Sequence, residues 1–149
     1  MYRFKGFTEK ANTALNLALQ SAEEFGHTYI GSEHIVLGLL KEGTGVAASV
    51  LEERGITADD YQAKLLEAES SGSYCHLTPD DFTPRACQIM QTALVEASSM
   101  QHGYVGTEHL LLAALRDTGS VAVRLLVLLC VVLRADVFGY ADRTPQAED

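Results

Sequence analysis

One segment of this chain occurs twice. The stretch "HTYIGSEHIVLGLL" at 27–40 returns as "HGYVGTEHLLLAAL" at 102–115, 75 positions later. The same register, without a gap, pairs sixteen identical residues, from Phe7 with Phe82 to Leu51 with Leu126. A fixed period of this kind indicates a duplicated structural unit. The chain is therefore predicted to hold repeat 1 at about 3–66 and repeat 2 at about 78–138.

The segments outside the repeats are polar. A linker at about 67–81, "EAESSGSYCHLTPDD", joins the two units, and a tail at about 139–149 is expected to fray. We expect both repeats to belong to a single domain that covers 1–149. The end of repeat 2 departs from repeat 1, because Cys130 stands where Gly55 would end a helix. Its last helix is expected to be shorter or to pack differently.

Apolar residues in both repeats follow helical spacing. They recur at i, i+3, i+4 and i+7 from Ala11 to Phe25, and again from Ala86 to Met100. Each second helix is almost entirely apolar and is predicted to be the buried centre of its unit. No segment has the pattern of a strand. The fold is therefore predicted to be all-α, a pseudo-two-fold tandem repeat of two four-helix units. Hydroxyl side chains suited to N-caps precede these helices: Thr8, Thr83, Ser32 and Thr107.

Composition excludes several classes of partner. The net charge of -9 and the absence of a basic cluster argue against nucleic acid. The longest apolar run, nine residues at 125–133, is too short to span a bilayer, and the N-terminus lacks the apolar core of a secretory signal. We therefore expect a cytoplasmic protein that binds no membrane. The three cysteines are odd in number and lack CxxC spacing, so neither disulfides nor a zinc knuckle is expected.

The motifs of common enzymes are missing. The chain has no phosphate-binding GxxxxGK[ST], no HExxH and no GxSxG, so we expect a protein that is not an enzyme and needs no cofactor. Two clusters invite a metal hypothesis, but adjacent residues on a helix point about 100° apart and close poorly on one ion. We expect no metal, although a small metal-dependent enzyme stays an alternative. The clusters are His27 with Glu33 and His34, and His102 with Glu108 and His109.

The duplicated helix start is the candidate site. Glycine would let the backbone turn tightly, a hydroxyl would cap the helix, and the amides at its N-terminus would attract an anion. The acidic residue either complements the helix dipole or faces a ligand that carries both signs of charge. The residues concerned are Gly31, Ser32 and Glu33, and Gly106, Thr107 and Glu108.

These residues resemble a known family. The segment "RFKGFTEKA" with the paired G-[ST]-E-H motifs is similar to the Clp repeat domain, the N-terminal module of Clp-type AAA+ unfoldases, and most similar to the ClpC branch. The resemblance covers about 3–129. It implies a domain that recruits client and adaptor proteins and recognises phosphorylated arginine, with one pocket supplied by each repeat. By resemblance, Glu33 and Glu108 bind the guanidinium, and Thr8 and Thr83 lie beside the phosphate.

A different function stays open. If the printed chain is the whole protein, it lacks the ATPase modules that follow this domain in an unfoldase and would be a free-standing Clp-repeat protein; whether it acts alone or belongs with a motor stays open. It either reads phosphoarginine through two equivalent pockets or acts as a scaffold that binds an adaptor or an unfoldase with its pockets vacant. The two hypotheses differ in whether Glu33 and Glu108 are needed for binding.

Overall fold

The computed structural model describes residues 1–130, and all regular secondary structure in that range is helical. The prediction of an all-α fold is confirmed. The predictions for the fourth helix of repeat 2 and for the frayed tail concern 131–149, outside the described residues. The helices are α1 (Glu9–Phe25), α2 (Ser32–Glu42), α3 (Val46–Glu53), α4 (Ala58–Ala68), a 3-10 turn (Pro79–Asp81), α5 (Pro84–Ser99), α6 (Thr107–Arg116) and α7, described over Val121–Cys130.

The first helix of each repeat begins at a threonine, as predicted. The Thr8 side chain accepts a hydrogen bond from the Ala11 amide at 3.2 Å, and the Thr83 side chain accepts one from the Ala86 amide at 3.0 Å. Pro84 occupies the first turn of α5, where its missing N–H leaves no helical bond unmade. Both starts are thus fixed by local sequence.

Helix α2 lies at the centre of repeat 1 and is buried from Ser32 to Leu40, as its apolar sequence predicts. It packs against α1 so closely that a Cβ added to Gly38 would overlap the Ala14 carbonyl oxygen. The corresponding residue of repeat 2 is Ala113, which is buried on α6. The two repeats therefore share one fold but differ in how closely their first two helices approach.

Helix α7 is longer than its counterpart in repeat 1. Helix α3 ends at Glu53 and is followed by Gly55 with φ +83°, a left-handed conformation that suits glycine. Cys130 holds the position equivalent to Gly55 and is still helical. Among residues 1–130 no single helix is long and apolar enough to cross a bilayer; α2 and α3 reach that length only as a pair bent by 92°.

Candidate functional site

Two short parallel pairings connect the repeats and decide where the candidate site lies. Phe7 pairs with Val105, and the neighbouring Thr8 amide donates to the Val105 carbonyl oxygen at 2.9 Å. The start of α1 therefore lies beside the start of α6, although the two belong to different repeats. Thr8 and Glu108 consequently line the same cleft. The expectation that one repeat supplies one pocket is wrong for this cleft.

The second pairing repeats this arrangement at the other pseudo-symmetric position. Ile30 pairs with Phe82, and the Thr83 amide donates to the Ile30 carbonyl oxygen at 3.0 Å. The start of α5 thus lies beside the loop that leads into α2 and Glu33. In both pairings the first helix of one repeat begins beside the second helix of the other. Aligning the repeats could not predict this, because an alignment does not show how the repeats pack together.

The glycines that precede α2 and α6 are N-caps, but they do not form tight turns. Gly31 has φ −101° and Gly106 has φ −95°, which any residue can adopt. Their role is to leave space: a Cβ added at either position would lie 2.5 Å from an Oε1 atom, of Glu33 in one case and of Glu108 in the other. Glycine therefore lets each carboxylate fold back over its own helix start.

The hydroxyls of Ser32 and Thr107 do not cap their own helices, contrary to the sequence prediction. Each belongs to the first helical residue, and each accepts a hydrogen bond at the start of the third helix of the other repeat. The Ala122 amide of α7 donates to Ser32 Oγ, and the Ala47 amide of α3 donates to Thr107 Oγ1, both at 3.3 Å. These hydroxyls hold the repeats together beside the two glutamates.

Histidine takes the place of the usual Glu or Gln in the capping box of each second helix. The Gly31 amide donates to His34 Nδ1 at 2.9 Å, and the Gly106 amide donates to His109 Nδ1 at 2.8 Å. Both histidines are buried. The prediction that His34 and His109 are hydrogen-bonded packing residues agrees with these contacts.

The protonation of the first histidine pair follows from its partners. His34 Nδ1 accepts a hydrogen bond from the Gly31 amide, so its Nε2 carries the ring hydrogen and donates to His27 Nδ1 at 2.8 Å. His27 Nε2 then donates to the Ser70 carbonyl oxygen at 3.2 Å. Burial, followed by the neighbouring His27, lowers the pKa of His34 to about 3. A hydrogen-bonded relay of two histidines thus links α2 to the linker.

One cluster among the described residues has the composition of a metal site: His27, His34 and Glu69. It differs from the trio suggested by sequence, because Glu69 replaces Glu33. Ligation through His34 Nε2 would move the hydrogen of that ring to Nδ1, where it would oppose the Gly31 amide. Repeat 2 has the same histidine pair, with His102 Nδ1 and His109 Nε2 2.8 Å apart. Because the pair is duplicated and hydrogen-bonded, its chemistry fits a structural relay rather than a metal centre.

The environment of Glu33 is closed. Glu33 is only 3% exposed, and the Tyr61 hydroxyl donates to its carbonyl oxygen at 2.9 Å. The Glu69 carboxyl, at the end of α4, and the Tyr29 hydroxyl are neighbours of its carboxyl. Burial, reinforced by the contact with Glu69, raises the pKa of Glu33 to about 8. This carboxyl is therefore mostly protonated at neutral pH.

The environment of Glu108 is open. Glu108 is half-buried and lines a cleft of about 570 Å³. The far wall of the cleft is the start of α1, with Thr8, Glu9 and Lys10. Tyr104 is 65% exposed at the same cleft, whereas its counterpart Tyr29 stacks on His27 at a ring distance of 5.7 Å. The two sites therefore share a backbone pattern and differ in access.

The cleft can hold both signs of charge. The Glu108 carboxylate can accept two hydrogen bonds from a planar cation such as a guanidinium. The first amides of α1 have no acceptor within the helix. Together with the helix dipole they make this N-terminus a site that attracts anions. Lys10 adds an ammonium group, which donates to the Thr44 carbonyl oxygen at 3.1 Å. Lys10 could not be recognised from the repeat identities, because its counterpart in repeat 2 is Arg85 and the two residues are not identical.

Cys75 and His76 are linker residues, as expected. The Cys75 thiol donates to the His27 carbonyl oxygen at 2.9 Å, while His76 Nδ1 lies 3.4 Å from a carboxylate oxygen of Glu23. The thiol and the imidazole thus contact different partners. Although they are adjacent in sequence, they do not form a thiol–imidazole pair.

Two duplicated helix starts, each beside the first helix of the other repeat and each carrying a glutamate, define a class of duplicated all-α domains. The family model described as the Clp repeat (R) N-terminal domain matches residues 6–129. The chain belongs to this family, which confirms the resemblance seen in the sequence.

The relatives are much longer proteins. The chain is 42% identical over 123 residues to the ATP-dependent Clp protease ATP-binding subunit ClpA homolog of Guillardia theta, which covers 83% of this chain and 15% of that relative. It is also 42% identical over 123 residues to chaperone protein ClpC1, chloroplastic, of Oryza sativa subsp. japonica, with coverage of 83% and 13%. The chain thus spans 13–15% of the length of these two proteins.

Solved structures share the fold. The N-terminal domain of the chaperone ClpD from Arabidopsis thaliana superposes with a TM-score of 0.62 at 19% identity, covering 89% of this chain and 99% of that one. A complex of the ClpV N-domain with a VipB peptide gives a TM-score of 0.60 at 19% identity, with coverage of 78% and 75%. At this identity the similarity establishes the fold alone.

Proposed function

We propose that this chain is a non-catalytic recognition domain of the Clp protein quality-control and degradation system, and that it binds client proteins marked by phosphorylated arginine. The observation that carries the proposal is the cleft in which the half-buried Glu108 faces the start of α1. A phosphoarginine side chain has a planar guanidinium next to a phosphate. The cleft offers a carboxylate to the first group and helix amides with Lys10 to the second.

The size of the cleft suits such a ligand. Its volume of about 570 Å³ lies within the range of about 300–1,000 Å³ that is usual for small-molecule sites. The helix start at Glu33 has the equivalent residues Gly31 and Ser32, and Thr83 begins the neighbouring α5. We therefore assign both pockets to the same ligand class. Glu108 provides the accessible one, and cytoplasmic client or adaptor proteins are the proposed partners.

A calorimetric titration with free phosphoarginine tests this function. Saturable binding is expected for the unmodified chain, and Glu108→Gln is expected to lose it because the amide cannot hold a guanidinium as a carboxylate does. Glu9→Gln is the matched control, since Glu9 lines the same cleft but is paired with Arg3 at 2.7 Å. Arginine and inorganic phosphate alone are expected to bind more weakly. No heat at millimolar phosphoarginine, from protein shown to be folded, would overturn the proposal.

A second candidate function is protein binding without phosphoarginine. One structural relative is a complex of the ClpV N-domain with a peptide. In this chain two apolar side chains line the Glu108 cleft and are largely exposed, Val46 at 53% and Tyr104 at 65%. This alternative predicts that a captured partner is retained by Glu108→Gln and lost by Tyr104→Ser, which a pull-down with both variants would decide.

A further inference from the structure

A second cavity, the α5–α6 groove, has a volume of about 310 Å³ and shares no residue with the Glu108 cleft. Four residues of α5 line it, at i, i+3, i+4 and i+7 from Arg85 to Thr92, and α6 with its C-cap contributes Ala113, Arg116 and Asp117. This spacing places the lining on one face of each helix. The facing sides of two packed helices are usually apolar. Here they enclose a space lined partly by charged side chains.

The two repeats differ in the residues that form this groove. In repeat 1, a Cβ added to Gly38 would overlap the Ala14 carbonyl oxygen, so α1 and α2 are in direct backbone contact. In repeat 2, Ala113 stands where Gly38 would be and Thr92 replaces the larger Leu17, and both line the groove. The groove is therefore lined by residues at which repeat 2 departs from repeat 1.

The two arginines of the groove are held by acids of the opposite helix. Arg85 Nε lies 3.2 Å from Asp117 Oδ2, and Arg116 Nε contacts Glu96 Oε2. The arginine side chains are nevertheless 51% and 61% exposed. A guanidinium has five N–H donors, and an acid at its Nε edge reaches at most one of the two Nη groups. At least one Nη group of each arginine is therefore available to a ligand.

The groove also has an apolar part. Ile89 and Ala113 line it, and each is only 2% exposed. Two guanidiniums beside an apolar surface match a carboxylate carried on methylene groups, because the carboxylate accepts their N–H donors and the methylene groups leave water. The volume is at the lower end of the range of about 300–1,000 Å³ for ligand sites, which suits one side chain of a polypeptide.

We propose that the α5–α6 groove is a second binding site, which takes a glutamate side chain of a bound polypeptide. Arg85 and Arg116 bind its carboxylate, and Ile89 and Ala113 contact its methylene groups. The inference goes beyond the proposed function, because this site requires neither a phosphorylated arginine nor any residue of the Glu108 cleft. It predicts that the domain binds acidic segments of client or partner proteins, although its own net charge is -9.

An NMR titration of the isotope-labelled full chain tests this site. The probe is a peptide with one glutamate between alanines, acetylated and amidated so that the side chain is its only charge. Its glutamine analogue, which has the same shape without the charge, is the control ligand. The glutamate peptide is expected to shift the Ile89 and Ala113 signals saturably at millimolar concentration. The glutamine peptide is expected to bind at least about tenfold more weakly, because it loses the charge-assisted hydrogen bonds.

Four variants locate the binding. Arg85→Gln and Arg116→Gln are each expected to weaken it about tenfold. Arg124→Gln is the matched control, because this exposed arginine of α7 removes the same charge and does not line the groove. Thr92→Leu installs the residue of repeat 1 and fills the groove without changing the charge, so it is also expected to weaken binding at least about tenfold.

Several results would overturn the assignment. Equal affinity for the two peptides, or an equal loss in Arg124→Gln, would show that no carboxylate is recognised in the groove. Inorganic phosphate that shifts the same signals at lower concentration than the peptide would indicate a general anion site. Ile89 and Ala113 signals that shift when the chain alone is diluted would assign the groove to a second copy of the chain. Unfolding curves of each variant establish that a lost site is not a lost fold.

Discussion

The Thr107 hydroxyl of α6 accepts a hydrogen bond at 3.3 Å from the Ala47 amide of α3, 60 positions earlier in the chain. Helix α3 begins after Gly45, which has no side chain with which to cap it. Thr107 therefore supplies the cap from the other repeat. Because the same residue precedes Glu108, the contact that joins the repeats also fixes one edge of the candidate ligand cleft.

Removing this hydroxyl should weaken the whole domain. Thr107→Val keeps the shape of the side chain but leaves the Ala47 amide without an acceptor, and a lost helix cap costs about 1 kcal/mol. Urea unfolding should show a loss of that size, and Thr107→Ser should restore most of it. Ser32→Ala, which removes the equivalent acceptor for Ala122, should cost a similar amount. An unchanged unfolding midpoint for Thr107→Val would contradict the capping role.

Gly106→Ala should separate binding from stability. The backbone at Gly106 accepts any residue, but the added Cβ would meet Glu108 Oε1 at 2.5 Å and push the carboxylate away. We expect phosphoarginine affinity to fall at least tenfold, while the free energy of unfolding changes by about 1 kcal/mol or less. Gly103→Ala is the matched control, because open space surrounds that position. Equal affinity in both variants would refute the steric argument.

Much of this fold can be predicted from sequence because its determinants are local. The threonine caps, Pro84 and the apolar spacing lie within a few residues of the helices they specify. The position of Thr8 in the same cleft as Glu108 could not be predicted, because it depends on how the two repeats pack against each other. The alignment of the repeats also gives no sign of Glu69. Its counterpart is Thr144, and the identities between the repeats end before these positions. Identical residues in the two repeats indicate shared structure, whereas Glu69 is a residue at which the two repeats differ.

Exchanging the glycine of α2 and its alanine counterpart in α6 should destabilise the domain in both cases, for different physical reasons. Gly38→Ala places a methyl group against the Ala14 carbonyl oxygen and forces α1 and α2 apart, which should cost about 1–3 kcal/mol despite the better helix propensity of alanine. Ala113→Gly removes a methyl group from the equivalent place and should cost about 1 kcal/mol from propensity, with a further loss from the cavity. Denaturant unfolding of both variants measures the difference. A stabilised Gly38→Ala would contradict the close approach of the helices.

Protonation of the histidine relay should contribute to acid unfolding. The pKa of His34 is about 3 in the folded chain, below the ordinary value of about 6.5, because burial disfavours its charged form. The unfolded chain therefore binds more protons below pH 6.5. The stability due to His34 is fully present above that pH and is lost as the pH falls toward 3. By linkage the loss reaches roughly 3 kcal/mol at about pH 4, as an upper value for a residue this buried.

His34→Gln isolates this contribution. A glutamine at the third helical position can accept the hydrogen bond of the Gly31 amide, as in an ordinary capping box, but it does not titrate. The variant should be less stable than the unmodified chain near neutral pH, because it no longer supports His27. Its free energy of unfolding should then fall less steeply between about pH 6.5 and pH 4, so that the two curves converge. Parallel curves over this range would show that His34 is not the group whose protonation destabilises the fold.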